Sequence, residues 1–381
     1  MYIRKQSFHE LGKESSFLWG ARQTGKSTLL KALYPDSIYF DLLLFNVYER
    51  LQRNPTILRE TILASTPSSP VIVDEIQRIP ELLNEIQWLI TNKNIQFILS
   101  GSSLRKIVRS GANPLGGRAL RHELYPLVYK EIPDFDLLRA LNHGLLPRHY
   151  LSNKPAKLIS AYIGSYLQDE ILAEAKIRNI HSFSRFLEVA AFSNGEIVNY
   201  TNIAAECGVS APTIKEYFHI LEETLIGRFL PSYRKKPKRR VIQAPKFYYF
   251  DVAIANYFLK RKSIEFGGEA FGSSFEHFIY HEIYSHSKYS GIHYQISYWR
   301  TASQIEIDFV LGEHEVAIEV KASQQINHRH LKGLKSFAEE YKVKRLILVS
   351  NDPFHRQIGV ITAMPWNIFL DKLWAGEIMS G

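Results

Sequence analysis

The ten residues Trp19-Gly20-Ala21-Arg22-Gln23-Thr24-Gly25-Lys26-Ser27-Thr28 constrain the fold more than any other part of this sequence. From Gly20 onward they satisfy G-x-x-x-x-G-K-[ST], and the flanks supply the context that this spacing needs. Apolar Phe17-Leu18-Trp19 reads as the end of a strand, and Leu29-Leu30-Lys31-Ala32-Leu33 as the start of a helix. The glycines let successive backbone N–H groups turn inward around a polyphosphate, and the helix N-terminus adds its positive end. Gly20 to Thr28 are therefore the expected nucleotide cradle, with Lys26 reaching the β- and γ-phosphates and Ser27 offering a hydroxyl to Mg²⁺. The motif alone does not separate ATP from GTP.

A cradle hydrolyses nothing without a metal acid and a water activator. Pro70-Val71-Ile72-Val73-Asp74-Glu75-Ile76-Gln77 supplies both at the end of a buried-strand pattern, where parallel α/β sheets bind ligands. Asp74 is expected to hold Mg²⁺ through water and Glu75 to orient or deprotonate the attacking water. A further strand, Ile95-Gln96-Phe97-Ile98-Leu99, ends in Ser100-Gly101-Ser102-Ser103. Ser102, with Ser100 beside it, is placed to bond the γ-phosphate or the water. Arg118 follows a glycine pair, Gly116-Gly117, and its planar guanidinium suits stabilisation of transferring phosphoryl charge in cis or from a neighbouring subunit.

At 381 residues the chain should divide into two or more domains. The net charge of +9 favours a polyanionic partner, and the single Cys207 excludes an internal disulfide or a Cys-based zinc site. No apolar run approaches a membrane span and no signal-peptide core follows Met1, so a cytoplasmic location without membrane attachment is expected.

Past Glu131-Ile132-Pro133 the βα alternation gives way to helix, beginning with the apolar spacing of Leu158 to Ala175. Thr201 to Cys207 reads as a short helix ending at Gly208, and Ser210 as the N-cap of a second helix with Pro212 in its first turn. Helix, glycine turn, helix is the form of a helix-turn-helix, whose second helix exposes Thr213, Lys215, Glu216 and His219. Then Arg234, Lys235, Lys236, Lys238, Arg239 and Arg240 place six cations in seven residues, which fits the wing of a winged helix contacting DNA phosphates. The same run also suits a solvated loop, or a module that packs against the ATPase.

Near the C-terminus, Ile296 to Arg300 and Ile305 to Leu311 read as hairpin partners, followed by Val316-Ala317-Ile318-Glu319-Val320-Lys321. Glu319 and Lys321 share one strand face, and Asp308 lies on the neighbouring strand. With Glu276 on a preceding helix they make D-x(n)-E-x-K, in which Asp308 and Glu319, helped by Glu276, would hold Mg²⁺. Lys321 would lower the pKa of the attacking water and stabilise charge developing on phosphorus.

Together these segments resemble a widespread prokaryotic family of AAA-like P-loop ATPases with a winged-helix segment and a C-terminal domain similar to PD-(D/E)XK nucleases. The resemblance implies an additional-strand parallel core sheet, ATP as the nucleotide and a homo-oligomeric ring. One departure is Ile307 before Asp308, where the nuclease motif has Pro. The expected fold is α/β and multidomain: a P-loop ATPase at 1–135, a helical and winged helix-turn-helix segment at 136–240, and a restriction-endonuclease-like α/β domain at 241–381. Three activities fit these parts: an ATP-hydrolysing enzyme that binds and cleaves DNA, a nucleotide-gated switch with a silent C-terminal domain, and an ATPase acting on protein.

Overall fold

The computed structural model describes residues 2–6, 14–65, 67–103, 107, 115–164, 179–235 and 239–379. Lys236 and Lys238 of the basic run lie outside them, as does the helix expected beyond residue 164.

The N-terminal module is a five-stranded parallel sheet. Its strands are β1 (Ser16–Trp19), β2 (Tyr39–Asp41), β3 (Val71–Asp74), β4 (Phe97–Gly101) and β5 (Leu120–Glu123), in the order β2-β3-β4-β1-β5. Strand β4 thus lies between the strand that feeds the P-loop and the strand that ends in Asp74. Alternate side chains point to opposite faces, as strand geometry requires. Phe17, Trp19, Val71, Val73, Phe97 and Leu99 enter one apolar core, while Leu18, Ile72 and Ile98 enter another against Leu29 and Leu30. Both faces are therefore covered, which explains the continuous apolar runs. Helices α1 (Lys26–Leu33), α2 (Phe45–Arg53), α3 (Thr56–Leu63) and α4 (Leu82–Lys93) provide the crossovers.

The middle module is helical, with Phe183, Phe186, Phe218, Phe247 and Ile254 at the centre of its core. The helix Tyr200–Cys207 begins at Asn199, whose Oδ1 accepts from Asn202 N (3.1 Å), and stops at Gly208 with φ +65°. Ser210 Oγ accepts from Thr213 N (3.3 Å) and starts the helix Ala211–Glu223. Strands β6 (Gly227–Leu230) and β7 (Lys246–Tyr249) then pair antiparallel. This corrects the boundary expected at residue 240. The described residues flanking the basic run, which reads as a wing in sequence, connect β6 to β7, and β7 together with the helix Val252–Phe258 completes the middle core.

The C-terminal module opens with the helix Phe271–Tyr289. Six strands follow: β8 (Ile296–Arg300), β9 (Glu306–Leu311), β10 (Val316–Lys321), β11 (Arg345–Ser350), β12 (Arg356–Ile358) and β13 (Ile361–Pro365), in the order β12-β13-β11-β10-β9-β8. Neighbours β8, β9 and β10 are antiparallel, and β10-β11 and β11-β13 are parallel. Between the pairs Ser297↔Val310 and Trp299↔Ile307, one residue of β8 faces two of β9, Asp308 and Phe309. This bulge redirects Asp308, a use to which bulges beside functional sites are put. No described helix is long and apolar enough to cross a membrane.

Candidate functional site

The P-loop lies at the C-terminal end of β1. Gly25 adopts φ +97°, a backbone state that favours glycine, and Lys26 is 5% exposed. Lys26 Nζ donates to Gly20 O (2.8 Å) and Ala21 O (3.2 Å) inside the loop. Burial lowers its pKa, against the pull of Glu75 and Asp74 and with the push of Arg22. A buried cation near the start of a helix that has no side-chain cap is matched chemically by a polyanion. Ser27 and Asp74 are the groups available to hold Mg²⁺ beside it.

The acids at the end of β3 are tightly held. Asp74 Oδ2 accepts from Tyr39 OH (2.6 Å), and Oδ1 accepts from Ser100 Oγ and from Glu75 N (3.1 Å). Glu75 has φ +60°, a rare state for a residue with a Cβ, and is 6% exposed. Gln77 Nε2 donates to Glu75 Oε2 (2.5 Å) and to Ser102 Oγ (3.0 Å), while Ser102 Oγ is 3.4 Å from Glu75 Oε2. Ser100 is thus the serine on Asp74, and Ser102 belongs with Gln77 to the support of Glu75. At Gly101 a Cβ would come within 2.3 Å of Gln77 Oε1 and 2.4 Å of the Trp19 ring, so only glycine admits this packing.

Arg118 lies elsewhere. It is exposed and precedes β5, whose Leu120 pairs with Ser16 and whose Glu123 pairs with Trp19. At about 3.3 Å per residue it falls about 16 Å from the strand ends that carry the P-loop. In a parallel sheet the start of β5 is remote from its own chain's nucleotide cradle, so the structure does not bring Arg118 to the P-loop expected to use it in cis.

Sequence reasoning missed Arg4. Its side chain is 5% exposed and donates through Nη1 to Thr24 O of the P-loop (2.6 Å) and through Nη2 to Tyr125 O (2.5 Å). Its Nε is 3.0 Å from Glu131 Oε2. Nothing in the spacing around Met1 to Lys5 signals this reach. Tyr39 and Gln77 were also missed; Gln77 meets Glu75 only because the chain turns at Glu75 into the short helix Ile76–Arg78, which strand spacing does not signal.

In the C-terminal module Glu276, Asp308, Glu319 and Lys321 come together. Lys321 Nζ is 2.5 Å from Glu319 Oε1, and Val320 N donates to Asp308 Oδ2 (2.7 Å) where β9 and β10 part. Burial, then the charge of Glu276, pushes Asp308 up to about 7. Burial, then Asp308, raises Glu319 well above the carboxylate range. Three further residues, Lys246, Glu306 and Tyr248, join them. Lys246 Nζ is 2.6 Å from Glu306 Oε1 and 3.3 Å from Glu276 Oε1, and Tyr248 OH donates to Glu276 Oε1 (2.6 Å). Among the described residues no three acidic, histidine or cysteine side chains converge to hold a metal. The expected Asp308–Glu319 metal pair is arranged instead around a lysine and a backbone N–H.

The DNA-contact candidates are largely engaged by the protein itself. Lys235 Nζ is 2.5 Å from Glu313 Oε2, and Arg239 pairs with Glu339 (2.6 Å) and Glu340 (3.0 Å). Arg234 Nη2 donates to Gln243 O (2.9 Å). The surrounding loop bonds to the β8 side of the sheet through Tyr233 N to Tyr298 O (2.6 Å) and Ile242 N to Arg300 O (2.9 Å). On the helix Ala211–Glu223, Lys215 lies over the Tyr200 ring at 5.4 Å, Thr213 is half-buried, and His219 is 3.5 Å from Glu223.

Comparison with known proteins divides the chain into three corresponding parts. Residues 13–133 match the family described as AAA domain, residues 134–265 a domain of unknown function (DUF8612), and residues 271–369 a domain of unknown function (DUF4143). An uncharacterized protein of Haemophilus influenzae is 21% identical over 356 residues, covering 85% of this chain and 86% of that protein. An uncharacterized protein of Methanocaldococcus jannaschii is 23% identical over 419 residues, covering 94% and 85%. A solved STAND-type signal transduction ATPase with a tetratricopeptide repeat sensor, from Pyrococcus horikoshii, is 13% identical with a TM-score of 0.24. The match covers 75% of this chain but under half, 45%, of that one. The N-terminal module, with its P-loop and parallel sheet, is thus the part that matches the AAA domain family, and a separate sheet domain follows the helical module.

Proposed function

We propose that the chain is a magnesium-dependent ATPase that works as a nucleotide-gated switch. The observation that carries this is the gathering of Lys26, Asp74 and Glu75 at the C-terminal ends of β1 and β3, on either side of β4, with Glu75 held by Gln77 and Ser102. Lys26 and the backbone of the P-loop would bind the phosphates, Ser27 and Asp74 would hold the ion, and Glu75 would take the proton of the attacking water. Magnesium, when bound, would neutralise charge between the β- and γ-phosphates.

The switch reading is supported by the route from cradle to C-terminal helix. Arg4 ties Thr24 to Tyr125 and Glu131. The same stretch holds the helix Phe271–Tyr289: Tyr125 N donates to Tyr289 OH (2.8 Å), Tyr129 N donates to Glu282 Oε1 (2.8 Å), and His281 Nε2 bonds Leu127 O (3.0 Å). The test is ATP turnover by the full chain and by Glu75→Gln, each with limited proteolysis of the C-terminal module in ATP and ADP. Turnover that survives Glu75→Gln at the parent rate refutes the catalytic assignment, and identical cleavage in both nucleotides refutes the switch.

A second reading keeps DNA as the partner, cleaved by a nuclease-like C-terminal domain. Its support is the order helix, three antiparallel strands, helix Lys332–Glu340, parallel strand, with Asp308, Glu276 and Glu-x-Lys gathered on it. DNA-stimulated ATP turnover and Mg²⁺- or Mn²⁺-dependent plasmid nicking would favour it. A homo-oligomer in which Arg118 serves the next copy belongs to either reading, and sedimentation in ATP tests it.

A further inference from the structure

We infer that Lys246 is the resident cation of the C-terminal acid cluster, taking the place of a divalent metal and closing the cluster to one while the β6–β7 hairpin is docked. The inference deepens the nuclease-like reading and rests on it for the identity of the cluster.

The acids Glu276, Glu306, Asp308 and Glu319 come from the C-terminal module, whereas Lys246 comes from the hairpin of the middle module. Residues two apart on a strand share a face, so β7 presents Lys246 and Tyr248 together, and both end on Glu276 Oε1. The Lys246 side chain is 3% exposed and bridges a helix acid to a strand acid, Glu276 to Glu306. Burial pushes its pKa down, but Glu276, Glu306 and Asp308 outweigh burial and raise it above the usual lysine range.

The charge balance explains why a cation must be there. Glu196 feels Glu276 and Glu306, and Glu319 feels Asp308 and Glu306, while Lys246, Lys321 and Arg300 are the cations set among them. Burial and mutual repulsion already push Asp308 and Glu319 up, and removing Lys246 would take away the cation that sits between Glu276 and Glu306. Buried carboxylates must be paired, protonated or metal-bound. A lysine tethered to another module satisfies that need and fills the coordination space, consistent with the lack of a three-acid cage among the described residues. Opening the cluster to a metal then requires moving the hairpin, whose loop is itself clasped to the sheet through Tyr233 and to the helix Lys332–Glu340 through Arg239.

The test measures Mn²⁺ binding by calorimetry on nucleotide-free full-length protein: the parent, Lys246→Met, and Lys246→Met with Glu306→Gln. The double variant removes the lysine together with its nearest acid, so it stays folded if the single one does not. Asp308→Asn on each background separates this cluster from the P-loop site. The expected result is Asp308-dependent Mn²⁺ binding gained by at least about tenfold over the parent, the scale of removing a unit charge a few ångströms away. Parent binding that equals the variants and depends on Asp308 overturns the inference, because the cluster was never closed. Folded variants that gain no Asp308-dependent binding also overturn it, because Lys246 then only neutralises. Variants that bind Mn²⁺ but nick no plasmid leave the inference standing and remove the cleavage reading.

Discussion

Two buried groups make the residue scale measurable. Glu75 is positioned by Gln77 and Ser102, so its carboxylate is aimed before any substrate arrives. Glu75→Gln should keep nucleotide affinity and lower kcat by at least about 100-fold, the low end for loss of a general base; Lys26→Ala should abolish binding. Titration of a fluorescent ATP analogue beside steady-state turnover checks both. Glu282 is the second group: fully buried, accepting from Tyr129 N and Trp374 Nε1 (2.7 Å), and pushed by burial up to about 8. Its folded pKa lies above its unfolded value, so its stabilising contribution is complete at low pH and is lost as pH rises through about 8. The melting temperature of Glu282→Gln should therefore gain on the parent between pH 5 and pH 9, on an approximate scale set by that shift. A constant gap across that range would contradict a raised Glu282.

Among elements, the hairpin loop departs most from its sequence appearance. Its cations suggested a free wing, yet Lys235 and Arg239 already face Glu313, Glu339 and Glu340. Exposed pairs are worth little each, so the clasp depends on the backbone bonds of Tyr233 and Ile242 as well. If DNA is the partner, neutralising Arg234, Lys235, Lys236, Lys238, Arg239 and Arg240 should flatten the log–log salt dependence of binding by about 0.9 for each phosphate that the loop no longer neutralises. Unchanged affinity and slope would assign the loop to docking alone. In the helix Ala211–Glu223, Lys215 is outnumbered by Glu216, Glu222 and Glu223.

At the scale of the whole molecule, the modules meet through buried polar joints. Arg4 links the P-loop to Glu131, and Arg228 of β6 lies between the rings of Tyr125 (4.4 Å) and Tyr284 (4.1 Å), one from the segment after β5 and one from the C-terminal helix. Arg4→Gln should weaken nucleotide binding by about tenfold, the scale of one lost charged hydrogen bond, and should erase any nucleotide-dependent proteolysis of the C-terminal module. Arg4→Lys should recover part of the affinity, because an ammonium can still reach Thr24 O. If Arg4→Gln lowers only the melting temperature and leaves affinity at the parent value, Arg4 is structural and the route from cradle to helix lies elsewhere.

Local patterns determined a large part of this protein. The P-loop, the acids after Val71-Ile72-Val73, the capped helix pair around Gly208 and Ser210, and strands β8 to β10 all follow from periodicity, caps and spacing, which act within a few residues. What joins distant segments was decided only by the tertiary structure. Arg4 finds Thr24 across 20 positions, Lys246 finds Glu306, and Ser100 bonds Asp74 while Ser102 joins Gln77 at Glu75. Arg118 falls at the far end of its sheet because strand direction, invisible in the chain, sets which end faces the nucleotide. A buried ion pair is the product of packing, and no local pattern encodes which charges packing will bring together.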